Sequence, residues 1–150
     1  MAYKVLDVAR YIINYSNKME YGISNLKLQK LLYFVQAEFL AFTERKQPCF
    51  IPEVYQEFKQ YGSSNIPTII KYYEVNDNWE IVEKKYNQNC IEPQDRETIN
   101  QTVDGFADYS ATALVNITHN QDPWNEAYEE GMNRIISKKA IKEYFESDDN

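Results

Sequence analysis

One histidine and two cysteines are the side chains of this sequence best suited to polar chemistry. His119 is the only histidine, and with a neighbouring carboxylate it would serve as the general acid or base of a hydrolase or transferase. Cys49 and Cys90 lie far apart and match no CxxC spacing for a metal or redox site. We interpret both as free thiols in a reducing cytoplasm.

Other catalytic devices are absent from the sequence. It contains no GxGxxG motif, no phosphate-binding loop and no serine nucleophile elbow, and its four glycines cannot form a glycine-rich cradle. No pairing of acidic residues follows metal-ligand or glycosidase spacing. We therefore predict no catalytic residue, no metal and no cofactor. The favoured role of His119 is structural, because it lies where a helix from Ser110 should end, a place that stabilises the charged imidazole.

Charge and hydropathy limit the kinds of partner. A net charge of -7 without a basic run argues against direct nucleic-acid binding, because phosphate contacts need a concentrated basic face. No stretch approaches membrane-span length, and Asp7 and Arg10 interrupt the apolar region that a signal peptide needs. The sequence thus predicts a cytoplasmic protein with no membrane partner. Its 13 tyrosines would favour protein binding where they cluster, although most should be half-buried boundary residues.

The element that must position these side chains is a long helix from Ser24 to Glu44. Apolar residues at helical spacing fall on two opposite faces of this helix, and Ser24 is placed as its N-cap. Because both faces are apolar, neighbours must cover both. We predict a mostly α, compact single-domain bundle over residues 1–150 with this helix buried at its centre. Its most buried residues should include Leu31, Leu32, Val35 and Phe39.

Shorter helices are predicted around the central one. A one-sided first helix ends before Gly22, and its buried stripe comprises Val5, Val8, Ala9, Ile12 and Ser16. A third helix should run from Pro52 to Gly62, followed by a brief helix over residues 66–73. Residues 76–92 fit neither period, so we expect an irregular segment with a short strand. Later helices should begin at Pro93, Ser110, Asp122 and Ser137, the third of them reaching Gly131.

Five stretches, taken in order, resemble the Panacea domain, also called the SocA-like antitoxin domain, of phage-associated proteins. They are VLDVARYIINYSN, ISNLKLQKLLYFVQAEFLA, IPEVYQEFKQYGSSNIP, LVNITHNQDPWNEAY and AIKEYF. NLKLQKLLY and the TH...PW pair are the most specific parts. The resemblance covers nearly the whole chain and implies an antitoxin that binds and neutralises a toxin encoded beside it. It does not imply the toxin's chemistry, because members are paired with unrelated toxins.

The family-like motifs supply predicted functional residues. The predicted toxin contacts are Gln29, Lys30, Tyr33, Tyr55 and Tyr61. For each of them the competing interpretation is a packing or solvated boundary residue. His119, Pro123 and Trp124 form a predicted structural motif in which Trp124 anchors a turn and His119 closes a helix. Two alternative functions are kept: a phage-encoded or proteolytic adaptor that binds a host protein, and an enzyme that uses His119.

The chain departs from the family pattern at one place. Family members usually carry a short segment with a Trp and a Gly-Pro-Val before the PEVY stretch, whereas Phe50 here runs directly into Ile51 and Pro52. Ile51 is a poor N-cap for a helix behind Pro52. For this reason we favour missing residues between Phe50 and Ile51 over a trimmed family member.

Overall fold

The computed structural model describes residues 2–50, 54–55, 74–75, 81–82, 90–127 and 135–147. These residues form a mostly α structure, which confirms the predicted fold class. The helices are α1 (Val5–Lys18), α2 (Asn25–Ala41), α3 (Pro93–Gly105), α4 (Ala111–His119), α5 (Asp122–Ala127) and α6 (Lys138–Ser147). Four two-residue strands accompany them: β1 (Val54–Tyr55), β2 (Glu74–Val75), β3 (Ile81–Val82) and β4 (Ile135–Ile136). β1 pairs antiparallel with β4, and β2 pairs antiparallel with β3.

α2 is the central helix that the sequence predicts. It contacts α1, α3, α4 and α6, so its two apolar faces are both covered. The four residues predicted to be most buried are each at most 5% exposed. The Ser24 side chain caps the helix by accepting a hydrogen bond from the backbone N–H of Lys27 at 3.2 Å. The helix ends at Ala41, before the predicted Glu44, and the Thr43 hydroxyl donates to the carbonyl of Phe39 at 2.7 Å.

α1 ends in a Schellman motif. Glu20 adopts a left-handed conformation with φ 60° and donates its N–H to the carbonyl of Asn17, while the N–H of Tyr21 bonds the carbonyl of Ser16. The turn brings the Tyr21 ring within 6.4 Å of the Tyr15 ring in an edge contact. This local geometry holds two aromatic side chains together at the end of α1.

The later helices begin close to their predicted positions. α3 starts at Pro93, and the side chains of Ser110 and Ser137 cap α4 and α6 by accepting from the third residue beyond each. Asp122 is the first residue of α5 and not its N-cap. The predicted extension of this helix to Gly131 lies outside the described residues.

The predicted third helix is wrong at Val54 and Tyr55, which form strand β1. Val54 pairs with Ile136 and Tyr55 with Ile135, and β-branched and aromatic residues suit this pairing. The other residues of that predicted helix, and the helix over residues 66–73, lie outside the described part of the chain. The short strand expected within residues 76–92 is β3. Missing residues between Phe50 and Ile51 stay a prediction, although the strand at Val54–Tyr55 removes the helix whose poor N-cap favoured them.

The segment before β1 is tied to α2 by one buried side chain. The Gln36 Oε1 accepts hydrogen bonds from the backbone N–H groups of Cys49 and Phe50 at 2.8 and 3.3 Å, and its Nε2 donates to the Phe50 carbonyl at 2.8 Å. The N–H of Tyr3 donates to the Cys49 carbonyl at 2.7 Å. Cys49 is 1% exposed, and burial raises the pKa of its thiol. This cysteine is therefore a packed core residue and not a reactive one.

Candidate functional site

The two most family-specific sequence motifs meet in the interior of the bundle. The NLKLQKLLY motif lies on α2, and the TH...PW motif spans the end of α4 and the start of α5. Between them, the Tyr33 hydroxyl donates a buried hydrogen bond to Gln121 Oε1 at 2.7 Å. The five residues Lys30, Tyr33, His119, Gln121 and Trp124 are named here the motif cluster. The sequence analysis missed Gln121, whose only signal is its position between the two halves of the TH...PW motif.

His119 and Trp124 form the stacked pair of the motif cluster. Their ring centroids are 3.8 Å apart with an angle of 19° between the ring planes, so the predicted proximity of these residues is observed. His119 is the last residue of α4, and Trp124 is half-buried against the hydrophobic core. Pro123, between them, is buried. The short α4–α5 connection is thus held by ring packing as well as by the bond to Tyr33.

The electrostatics of the cluster correct the expected charge of His119. Burial and the positive charge of Lys30 lower its pKa to about 4, so the imidazole is neutral near pH 7. The sequence analysis expected a charged imidazole because a helix C-terminus carries a partial negative charge. Lys30 is 2% exposed, and burial lowers the pKa of its ammonium to about 8. The charged side chain that shifts the pKa of His119 is thus an ammonium, whereas the enzyme alternative requires a carboxylate paired with the imidazole.

His119 should therefore destabilise the folded protein in acid. Its pKa lies at about 4 in the folded chain and near its ordinary 6.5 when unfolded. Between these values the unfolded chain binds more protons, so stability falls as pH decreases. A comparison with the His119→Gln variant cancels the contributions of the other titrating groups to the pH dependence of stability. We expect the stability advantage of the unmodified protein over this variant to shrink by about 1–2 kcal/mol between pH 7 and pH 4, after allowance for solvent screening of a partly exposed ring.

Urea denaturation of both proteins across this pH range measures the difference. A relative gain in the stability of the unmodified protein on acidification would show that the charged imidazole is favoured, as the sequence alone suggested. In that case the neutral stacked arrangement would be incorrect.

The predicted toxin contacts are not together on the surface. Gln29, Lys30 and Tyr33 are at most 3% exposed, and Tyr33 bonds Gln121 within the bundle. Tyr55 lies in β1, and Tyr61 lies outside the described residues. A partner could touch the α2 members only if the covering helices moved. The assignment of these five residues as toxin contacts stays a prediction.

No group of three or more His, Cys, Asp or Glu side chains in the described part of the chain could hold a metal ion. None of the described helices has the length and apolar character needed to cross a membrane.

Comparison with known families identifies the class of protein. The family model described as antitoxin SocA-like, Panacea domain, matches residues 28–125. This range covers more than half of the chain, from Leu28 within NLKLQKLLY to just past the TH...PW motif, so the protein belongs to the SocA-like Panacea family. No curated protein and no solved structure matches the chain.

Proposed function

We propose that the protein is an antitoxin that silences a protein toxin, encoded by an adjacent gene, by binding it directly in the cytoplasm. The observation that carries this proposal is the family match over residues 28–125. Direct binding, a toxin gene adjacent to this one, the cytoplasmic location and a stoichiometric effect without turnover are all proposed here beyond the family assignment.

The physical character of the domain supports binding through its outer surface. Lys30, Tyr33 and Gln121 of the motif cluster are buried, and His119 and Trp124 are half-buried and stacked on each other, so in the unbound protein the cluster holds α2, α4 and α5 together. The net charge of -7 favours a basic partner, such as a toxin that acts on nucleic acid. Complementary charge accelerates encounter and fixes orientation, while aromatic anchors provide most of the affinity.

Titration of toxicity tests this function. The protein is co-expressed with the product of the neighbouring reading frame at graded ratios, and the complex is copurified. We expect rescue of growth to saturate near an equimolar complex, because each antitoxin molecule occupies one toxin molecule. Full rescue at substoichiometric levels, or a chemically altered toxin without a stable complex, would show catalysis instead.

His119→Gln provides the matched control for the enzyme alternative. A binding antitoxin should rescue with this variant as well as with the unmodified protein, once both are expressed at equal folded levels. Loss of rescue by a variant that folds and melts normally would favour a catalytic His119.

The adaptor alternative is tested with the unmodified protein in hosts that lack single proteases. Rescue by the unmodified protein that is lost only in a host lacking one protease would favour a proteolytic adaptor.

A further inference from the structure

One end of the bundle carries a patch in which half-buried and exposed tyrosines adjoin exposed apolar side chains and carboxylates. The C-terminal ends of α1 and α3 meet the N-terminal end of α2 there. The hydroxyls of Tyr15 and Tyr21 both donate to Oδ1 of Asp104, at 2.7 and 2.6 Å. Asp108 lies in the turn after α3, between Ala107, whose carbonyl accepts from the Lys27 ammonium at 3.1 Å, and Tyr109, whose N–H donates to the Phe106 carbonyl at 3.0 Å. We name this surface the tyrosine–aspartate patch; it comprises Tyr15, Tyr21, Leu26, Asp104, Asp108 and Tyr109.

Exposed apolar side chains concentrate at this end. Among the described residues, the large hydrophobic side chains that are exposed are Met19 at 43%, Leu26 at 39%, Tyr109 at 42% and Phe42 at 56%. The first three belong to the chain segments that form the patch. Phe42 lies at the other end of α2, about 24 Å from Leu26 at a helical rise of 1.5 Å per residue. Apolar side chains rimmed by charges are typical of protein-binding surfaces.

The patch is negatively charged and held in place before any partner arrives. Asp104 and Asp108 are exposed, whereas the Lys27 ammonium is turned inward and donates to the Ala107 carbonyl at 3.1 Å. Lys18 and Glu20, both exposed, flank the patch with opposite charges. The Schellman turn and the two bonds to Asp104 fix the rings of Tyr15 and Tyr21. Preorganised aromatic anchors lose little conformational entropy on binding.

We propose that the tyrosine–aspartate patch docks a basic, partly apolar segment of a protein partner. Arginine side chains of that segment would pair with Asp104 and Asp108, because the guanidinium matches a carboxylate and stacks on tyrosine rings. Apolar side chains of the segment would pack on Leu26 and Tyr109. The identification of this partner as the toxin rests on the proposed function; the docking chemistry itself does not.

The first test uses a synthetic peptide of alternating arginine and leucine as the probe. Asp104→Asn with Asp108→Asn removes two charges but keeps the oxygen that accepts from both tyrosines. As the control, Glu126→Gln with Glu143→Gln also removes two negative charges, but from the groove between α5 and α6. We expect the first pair to weaken peptide binding about fivefold at low salt, and the second less than about twofold. Equal effects, a larger effect of the second pair, or no binding by the unmodified protein would overturn the proposal.

Aromatic anchoring is tested with a second matched pair. Tyr109→Ala removes an exposed ring from the patch, and Phe42→Ala removes an exposed ring from the opposite end of α2. We expect about a tenfold loss of peptide affinity for the first and little change for the second. Equal melting temperatures would show that both variants fold. An unchanged affinity for Tyr109→Ala would contradict the proposed packing.

The second test uses the purified product of the neighbouring reading frame. If it binds the unmodified protein and the double aspartate variant weakens this binding more than the double glutamate variant does, the patch is supported as the toxin surface. If both variants bind it like the unmodified protein, the patch is not the toxin surface, the antitoxin function stands, and the peptide measurements alone decide the docking chemistry. If the unmodified protein neither binds nor neutralises it, the antitoxin function fails, and the peptide measurements decide the docking chemistry.

Discussion

Phe39→Ala is expected to lower the free energy of unfolding by about 3–5 kcal/mol. Phe39 is 5% exposed and belongs to the hydrophobic core formed around α2. Removing its ring loses buried apolar area and leaves a cavity that the helices packed on α2 can fill only in part. Since the free energy of unfolding of a typical domain is only about 5–15 kcal/mol, this loss would also reduce the folded fraction in the cell. Urea denaturation followed by circular dichroism measures the change.

Phe42→Ala is the control for this experiment because it makes the same chemical change three positions later. Phe42 is 56% exposed, and its recorded ring contact is with Phe145 at 6.4 Å. We expect it to cost less than about 1 kcal/mol, as for other exposed side chains. Leu32→Ala, at a position 4% exposed, should cost about 2–5 kcal/mol. Similar costs for Phe39→Ala and Phe42→Ala would refute the buried placement of α2.

Gln36→Ala is expected to be as damaging as a core truncation, although it removes a polar side chain. Gln36 is 1% exposed and satisfies three backbone groups of Cys49 and Phe50. Its removal leaves those buried groups without their partner, at about 1–3 kcal/mol each where no water replaces it. We expect a total loss of about 3–5 kcal/mol. Hydrogen exchange of the Cys49 and Phe50 amides should also accelerate.

Gln101→Ala is the matched control for the glutamine. Gln101 is an exposed helical residue, and its recorded hydrogen bond is with Glu97, also exposed, at 3.3 Å. The variant should change stability by less than about 0.5 kcal/mol. If Gln36→Ala were equally mild and left the exchange of both amides unchanged, Gln36 would not be the side chain that ties this segment to α2.

Much of the helical framework could be predicted from the sequence because its signals are local. Ser24, Ser110 and Ser137 each accept a backbone hydrogen bond within the first turn of their own helix, so the capping residue and its target are three positions apart. The two apolar faces of α2 likewise depend only on helical spacing. The order of the motifs along the sequence also indicated the family. It did not show that the NLKLQKLLY and TH...PW motifs contact each other in the fold.

The strand at Val54–Tyr55 could not be predicted in this way. A helix start behind Pro52 and a strand were both compatible with the local residues. The choice depends on Ile135–Ile136, which lies far along the chain and supplies the pairing partner. Strand preference is decided by such neighbours more than by intrinsic propensity.

The sequence by itself determined the mostly α framework, the central helix and the family. Only the tertiary structure decided the environment of the polar motif residues. Gln29 and Lys30 are polar residues of a kind usually found at a surface, yet both are at most 3% exposed on α2. Tyr33 lies on the second apolar face of α2 and is buried, as that face predicts. His119 was placed correctly at a helix end, yet burial of the imidazole, with the charge of Lys30 as a second cause, lowers its pKa despite the partial charge of that end. Long-range packing, which no local pattern encodes, sets both outcomes.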